Sequence, residues 1–234
     1  MKRTFVVLLL FLLSGAKAQS APIGIAIQNS HYDKTKLGSE LSIDLFNTTH
    51  KDITAFVIST KDGQTEVDLL PLIISVNEAA ANGNELYANG QRVLNGAFLP
   101  GEVRTQTVSS SSPDATVTVV AYADGTAQAT DQQAFADLME HRQGRLLALQ
   151  KVNEVIEKSL SDPTVKDHHS AIQAELKQLA LTYKNQNDSL LLYEGMHLET
   201  SVIPLNDADL PAFVESRRKR IALLSPHTKL AVQP

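Results

Sequence analysis

The sequence predicts an α+β chain in which an antiparallel β-sandwich is followed by a helical region, itself a long helical hairpin plus a third helix. Three observations predict it. Up to Gly125 the apolar residues alternate with period two between turn signals; from Asp131 they recur at three- and four-residue steps. The change falls at Ala115–Gly125 (ATVTVVAYADG), where Val117, Val119, Ala121 and Ala123 alternate with Thr116, Thr118, Val120 and Tyr122 before Asp124-Gly125 ends the strand. Residues 1–18 read as a leader, so the sandwich is expected over 19–127 and the helical region over 128–234.

The leader has the three parts of a secretory signal peptide: basic Lys2 and Arg3, an unbroken apolar run Val6–Leu13, and the small-x-small site Ala16-Lys17-Ala18. The apolar run falls short of the roughly 20 residues a membrane-spanning helix needs. Cleavage after Ala18 is expected, with retention of Val6–Leu13 as an anchor the alternative. No cysteine follows the run, which excludes a lipoprotein anchor and any disulfide, so stability must come from packing. The expected location is the periplasm or the exterior of a bacterial cell.

Loss of the leader reduces Lys and Arg from 21 to 18 against 26 Asp and Glu, a formal charge of −8 rather than −5. That balance excludes a nucleic-acid partner, whose phosphates require a basic surface. Tryptophan is absent and aromatics are 5% of the chain, so stacking platforms for sugars or bases are scarce.

Ile23, Ile25 and Ile27 mark a first strand, followed by a polar loop over His31–Gly38. Leu41, Ile43 and Leu45 alternate with Ser42 and Asp44 in a half-buried strand. Asn47–Asp52 is a polar turn, Ile53–Ile58 a central strand, and Lys61-Asp62-Gly63 a hairpin turn. Val67–Val76 is apolar but holds Pro71, which lacks the ladder donor, and reads as an edge strand or two short ones. Asn77–Arg92 is a long excursion with a short helix or hairpin holding Tyr87, longer than ordinary connections. Leu99-Pro100-Gly101-Glu102 is a turn leading into Val103–Val108, and Ser109–Pro113 is a polar linker. About seven short strands in about a hundred residues suit two packed sheets.

The order of these features resembles bacterial immunoglobulin-like modules: a strand, the Asn47-Thr48-Thr49 turn, another strand, the Leu99-Pro100-Gly101-Glu102 turn, then a valine-rich strand ending at Tyr122. It is also similar to secreted bacterial proteins in which an Ala-Tyr-x-Asp-Gly strand end leads into a long helix. The resemblance covers Ile23 to about Leu149. It implies an immunoglobulin-like fold and brings no catalytic residue with it.

Asp131 is placed to cap a helix whose stripe comprises Phe135, Leu138, Arg142, Leu146, Leu149, Val152, Ile156 and Leu160. Ser161-Asp162-Pro163 should end it and start a second helix, Thr164 to about Asn185, with Asp162 as cap and Pro163 at its first position. Val165, His169, Ile172, Leu176, Leu179 and Tyr183 share a side of it, and so short a connection predicts an antiparallel hairpin. Leu190–Tyr193 extends or docks, Thr200–Leu205 is extended, and Asp207 caps a third helix with Leu210, Phe213, Val214, Arg217, Ile221 and Leu224 on one face. A frayed tail follows Pro226.

No residue constellation carries chemistry. His168-His169, beside Asp167, point about 100° apart on a helix, and the positions four further on, Ile172 and Gln173, are not ligands. The acids Asp44, Asp52, Asp62 and Asp68 are scattered, and there is no Gly-x-Ser-x-Gly and no phosphate loop. Arg217-Arg218-Lys219-Arg220 spreads around a helix, its stems covering apolar neighbours and its charges reaching water. Asp62-Gly63 and Asp124-Gly125 read as turns, not calcium loops. No catalytic, cofactor-binding or metal residue and no cofactor is therefore expected. The chain reads as an exported, non-catalytic binding or structural module of the bacterial envelope, meeting a protein partner or a second copy through its C-terminal helices. The competing readings are a hydrolase-type site assembled from His31, Tyr32, His168 and His169, and an envelope protein anchored by Val6–Leu13.

Overall fold

The computed structural model describes residues 23–35, 38–81, 87–88, 91–92, 96–184, 203–204 and 206–233. The leader, Asn82-Gly83-Asn84, Asn89-Gly90 and Leu190–Tyr193 lie outside the described residues. The chain is α+β. One sheet has the order β1 (Ile25–Thr35), β2 (Gly38–Asn47), β7 (Val103–Ser109). The other runs β10 (Ala231–Val232), β9 (Thr126–Ala129), β8 (Ala115–Tyr122), β3 (Ile53–Thr60), β4 (Gly63–Asp68). All pairings in both sheets are antiparallel except β10 with β9. A small third pair, β5 (Tyr87–Ala88) with β6 (Gln91–Arg92), forms the hairpin expected around Tyr87. The helices are α1 (Leu70–Ala81), α2 (Gln132–Ser161), α3 (His168–Lys184) and α4 (Leu210–Leu224).

The two sheets share one apolar cluster: Ile25, Leu41, Ile43, Leu45 and Val108 from the first, with Ile53, Phe56, Ile58, Val117, Val120 and Tyr122 from the second. Period-two alternation delivers this in β2. The members from β3 and β8 are spaced three then two, because the β3–β8 pairing shifts register between Ile53 and Ala55 and between Val57 and Ile58. Val117 therefore shares a face with Val120 and Tyr122, not with Val119 and Ala121 as strict alternation predicts. Phe98 closes the end of the cluster. It is fully buried, its ring lies 6.1 Å from that of Phe56, and its backbone exchanges two hydrogen bonds with Ile53.

The two turns singled out in the sequence meet there. Buried Asn47 donates through Nδ2 to the carbonyls of Lys51 and Phe98, both at 2.9 Å, while its Oδ1 accepts from the Thr49 amide and hydroxyl. Its backbone amide donates to Glu102 and its carbonyl accepts from Gly101, which takes the left-handed φ of 73° that glycine permits. At the other turn, Asp124 accepts from the amide and hydroxyl of Thr126 and pairs with Lys51 at 2.8 Å. The bonds from Lys51 and Thr126 pull the Asp124 carboxyl down to about 2, and burial pushes the neighbouring Tyr122 phenol up to about 12.

Several sequence expectations are corrected. His31–Thr35 is not a loop: it continues β1, paired with β2 from His31↔Ser42 to Thr35↔Gly38. Its polar composition reflects an exposed outer end of the hairpin. Of Val67–Val76 only Val67 and Asp68 are extended, at the end of edge strand β4; from Leu70 the run is helical. β4 ends at Asp68, whose carboxylate accepts the Leu70 amide, and Pro71 sits in the first turn of α1, where no intrahelical donor is needed. Helix α1 thus occupies the start of the expected excursion. Gly96 lets the chain pass against it: a Cβ there would lie 2.6 Å from the backbone nitrogen of Ile73.

Beyond Gly125 a further strand, β9, precedes the helices. Asp131 caps α2 as expected, accepting from Gln133 and Ala134. The second helix, however, begins at His168, not Thr164. Asp162 belongs to the end of α2, and its carboxylate closes a local turn with Thr164. Asp207 does not cap the third helix. Asn206 caps the short 3₁₀ turn Asp207–Asp209 that precedes α4, and Asp207 reaches across to α3. The tail is not frayed: Ala231 and Gln233 donate to the carbonyls of Gly125 and Ala127, adding β10 to the sheet edge.

Helix α2, about 45 Å long at 1.5 Å per residue, visits three environments in turn. Ala134 and Leu138 pack on the outer face of the five-stranded sheet, against Ala55, Val57, Val119 and Ala121. Leu149 meets Leu70 and Ile74 of α1 and Leu224 of α4. Val152, Val155 and Ile156 then form a core with Ile172 and Leu176 of α3 and Leu210 and Val214 of α4. Ser159 meets His168 and Lys158 meets Glu175, so contacts spread from the connector in opposite chain directions, as an antiparallel hairpin requires. Among the described residues no helix is long and apolar enough to cross a membrane.

Candidate functional site

The densest group of interacting charges lies where α2 leaves the sheet. Strand β4 turns Gln64, Glu66 and Asp68 to one side and sends Val67 toward the inter-sheet core. Each meets a residue of the α2 segment: Gln64 donates to Asp131 at 2.8 Å, Glu66 bonds His141 Nδ1 at 2.6 Å, and Asp68 bonds Arg142 and Arg145 at 3.0 and 3.1 Å. For the pairs made by Glu66 and Asp68 the spacings agree, since two strand residues advance about 6.6 Å and the four helical residues from His141 to Arg145 about 6 Å. Glu66 can therefore meet His141 while Asp68 meets Arg145, with Asp68 also reaching Arg142.

Arg142 is the centre of this seam. It occupies a stripe position on α2 and is only 2% exposed. Its guanidinium donates to Asp68, to the Thr54 hydroxyl of β3 and to the His227 carbonyl in the 3₁₀ turn Ser225–Thr228 after α4. One side chain thus ties sheet, spine helix and C-terminal segment together. Gln143 adds a bond to the Thr228 carbonyl. Arg142 Nε and His227 Nδ1 are buried without a hydrogen-bond partner.

Burial shapes the titration of the seam. It pushes the Glu66 carboxyl up, against the counter-pull of the hydrogen bond and charge of His141. It also lowers the His227 imidazole, and the Arg142 cation lowers it further. Desolvation lowers Arg142 itself, opposed by Asp68; a guanidinium still stays cationic at any ordinary pH. A single carboxylate, Asp68, therefore serves two guanidiniums. The arrangement can bear load and fix register.

The residues singled out in the sequence fall into separate settings. His31 pairs with Asp33 on the exposed end of β1, and Tyr32 packs at the margin of the inter-sheet cluster. His168 and His169 open α3, and their backbone amides donate to the two oxygens of Asp207, each at 3.0 Å. The carboxylate satisfies two of the four amide donors a helix start leaves open. Asp167 holds the next amide, that of Ser170. The imidazoles make structural bonds: His168 to the Ser159 hydroxyl, and His169, donating from Nδ1, to the Pro204 carbonyl at 2.9 Å. The structure does not bring the two pairs together. Among the described residues there is no group of three or more His, Cys, Asp or Glu side chains that could hold a metal ion.

In the basic run, Arg217 is 1% exposed with its guanidinium 5.0 Å from the centre of the Phe213 ring, and Arg218 pairs with Glu157 at 2.9 Å. The expectation that all four charges reach water fails at Arg217.

The seam itself is the feature that sequence reading missed. Its signal was Arg142, a charge at a position the apolar stripe of α2 assigns to the interior. A buried guanidinium demands partners, and a search for them would have begun with the acids nearest an expected strand edge. Comparison with known proteins returned no matching family model, no matching curated protein and no matching solved structure.

Proposed function

We propose that the chain is an exported, non-catalytic interaction protein of the bacterial envelope: an immunoglobulin-like β-sandwich bearing a helical arm that binds a protein partner. The sandwich reading is supported by the split of strands β1, β2 and β7 from β3, β4, β8 and β9, and by the direct bonding of the Asn47 turn to the Gly101–Glu102 turn. Export is supported by the tripartite pattern of residues 1–18. A binding role is supported by the fate of the polar side chains, since the histidines of α3 and the charges of the seam are spent on holding elements together.

The observation that carries the partner reading is where apolar surface remains. Among the described residues the exposed large hydrophobics are Val103 of β7 and Val232 of β10 on the sheets, and Leu147 of α2, Leu181 of α3 and Leu223 of α4, which are 40%, 46% and 42% exposed, one on each helix of the arm. Single exposed leucines are ordinary; one on every helix of the same arm gives a partner several anchors. The test is cross-linking of the mature protein in envelope fractions, beside light scattering on the purified chain. A specific cross-linked species lost in the triple variant L147E/L181E/L223E supports the reading, whether it holds a second protein or a second copy. A species unchanged in that variant, or none, defeats it. Mass spectrometry of the mature N-terminus separates cleavage after Ala18 from a retained Val6–Leu13.

A further inference from the structure

The segment Ser225–Gln233 crosses from the helices back to the sheet as a strap. Its 3₁₀ turn is tied to α2 by two long hydrogen bonds, from Arg142 to the His227 carbonyl at 3.4 Å and from Gln143 to the Thr228 carbonyl at 3.3 Å. Strand β10 then lies on β9 for two residues, both exposed, with Ala231 and Gln233 donating to the Gly125 and Ala127 carbonyls at 3.0 and 2.7 Å. Leu230, just before it, is only partly buried against the cluster between α2 and the sheet. Exposed strand residues and so short a ladder mark a segment that opens locally, ahead of global unfolding.

His227 stands at the root of the strap. The charges acting on its ring are Arg142 of α2, which disfavours an imidazolium, and Asp68 of β4, which favours one but is already bonded to Arg142 and Arg145. Among the described residues α4, on which the turn also packs, adds no charge to the ring. Nδ1 is buried without a hydrogen-bond partner. The neutral ring tolerates this with its proton on Nε2. An imidazolium must carry a second N–H on Nδ1, with no acceptor for it and under the field of a cation.

We propose that His227 is a proton-operated latch, whose protonation shifts the strap Ser225–Gln233 toward release from the β9 edge. Release gives both ring nitrogens water and takes the charge away from Arg142. Ring and carbonyl belong to one residue, so the bond from Arg142 to the His227 carbonyl is given up in the same movement, leaving β10 its two-residue pairing. Release bares the carbonyls of Gly125 and Ala127 on the sheet edge, where an extended peptide can pair. A free histidine titrates at about 6.5, which sets the working range between about pH 7 and pH 5. The latch is independent of the protein-partner reading, because it uses none of the exposed leucines.

The test is amide hydrogen exchange, followed by NMR on the mature chain at about pH 7.5 and about pH 5.5, with each rate divided by that of unstructured peptide. The Ala231 and Gln233 amides should lose about three- to tenfold in protection on acidification. Their exchange should be insensitive to low urea, the mark of a local opening, unlike that of the β3–β8 ladder. H227Q should match the parent at the higher pH and lose nothing at the lower one. H141Q, which removes the histidine paired with Glu66, should keep the parent's pH dependence. Should H227Q fail to fold, H227N takes its place. Unchanged protection in the parent chain, a fall that persists in H227Q or vanishes in H141Q, or strap exchange that follows urea as the ladder does would overturn the proposal. A strap unprotected in H227Q at both pH values would overturn it too, since the ring would then be a support and not a switch.

Discussion

The inter-sheet core and the seam between sheet and spine helix hold the molecule by opposite means. The core is aliphatic and aromatic, with Leu41, Leu45, Ile53, Ile58, Phe98 and Val120 fully buried. Its stabilisation is non-directional and scales with area removed from water. The seam places Arg142, Asp68, Thr54 and the His227 carbonyl in hydrogen-bonded contact. Such a group adds little net stability compared with well-packed apolar residues, yet it is costly to break by halves, because a lone buried charge remains. The comparison teaches that the core supplies cohesion and the seam supplies register. Apolar contacts from Ala134 and Leu138 would tolerate sliding of α2 on the sheet, whereas the pairs with Glu66 and Asp68 do not.

Core truncation should give the largest effect. Phe98→Ala removes a ring packed on Phe56 and should cost about 3–5 kcal/mol, read from urea unfolding of the mature chain. Breaking the seam by one partner comes next. Asp68→Asn keeps the shape but leaves Arg142 without a buried counter-charge, for a loss of about 3 kcal/mol. Replacing both, as in D68L/R142M, should recover most of that loss, a rescue that no substitution beside Phe98→Ala should match.

Asn47→Ala sharpens the contrast inside the core. It leaves the buried carbonyl of Phe98 without its side-chain donor and should cost about 2 kcal/mol in the same measurement. A loss under about 0.5 kcal/mol would show that the turn closes without its amide.

The smallest effect is in pH. Burial holds His227 below its ordinary value, so its contribution to stability is present above the unfolded value of about 6.5 and is lost as pH falls from there through the folded value. H227Q should therefore lose less melting temperature than the parent chain between about pH 7 and pH 5. Glu66, raised by burial, acts in the opposite sense: its contribution is present below the unfolded carboxyl value and lost as pH rises through its folded value.

Periodicity made the strands and α2 legible in the sequence, because one buried face imposes period two on a strand and about 3.6 on a helix. Asp131 and the two turns were legible because capping and turn chemistry is local. Helix α1 was not. Ile73, Ile74 and Val76 favour strand, and only packing against Leu149 and Leu224, together with the Asp68 cap, makes the segment helical. Strand β10 was hidden for a related reason: two residues in parallel pairing leave no pattern of their own. At the seam, Arg142 stood out within its stripe. Its partners, 74 and 88 residues away in Asp68 and Thr54, could be fixed only by the fold.

The central claim is that Asp68 and Arg142 lock the spine helix onto the sheet. The most direct test is a double-mutant cycle of Asp68→Asn and Arg142→Met, followed by denaturant unfolding. A coupling of about 2 kcal/mol or more between the two sites is the expected result. Additive losses, with a coupling within about 0.5 kcal/mol of zero, would contradict it and leave α2 held by its apolar contacts alone.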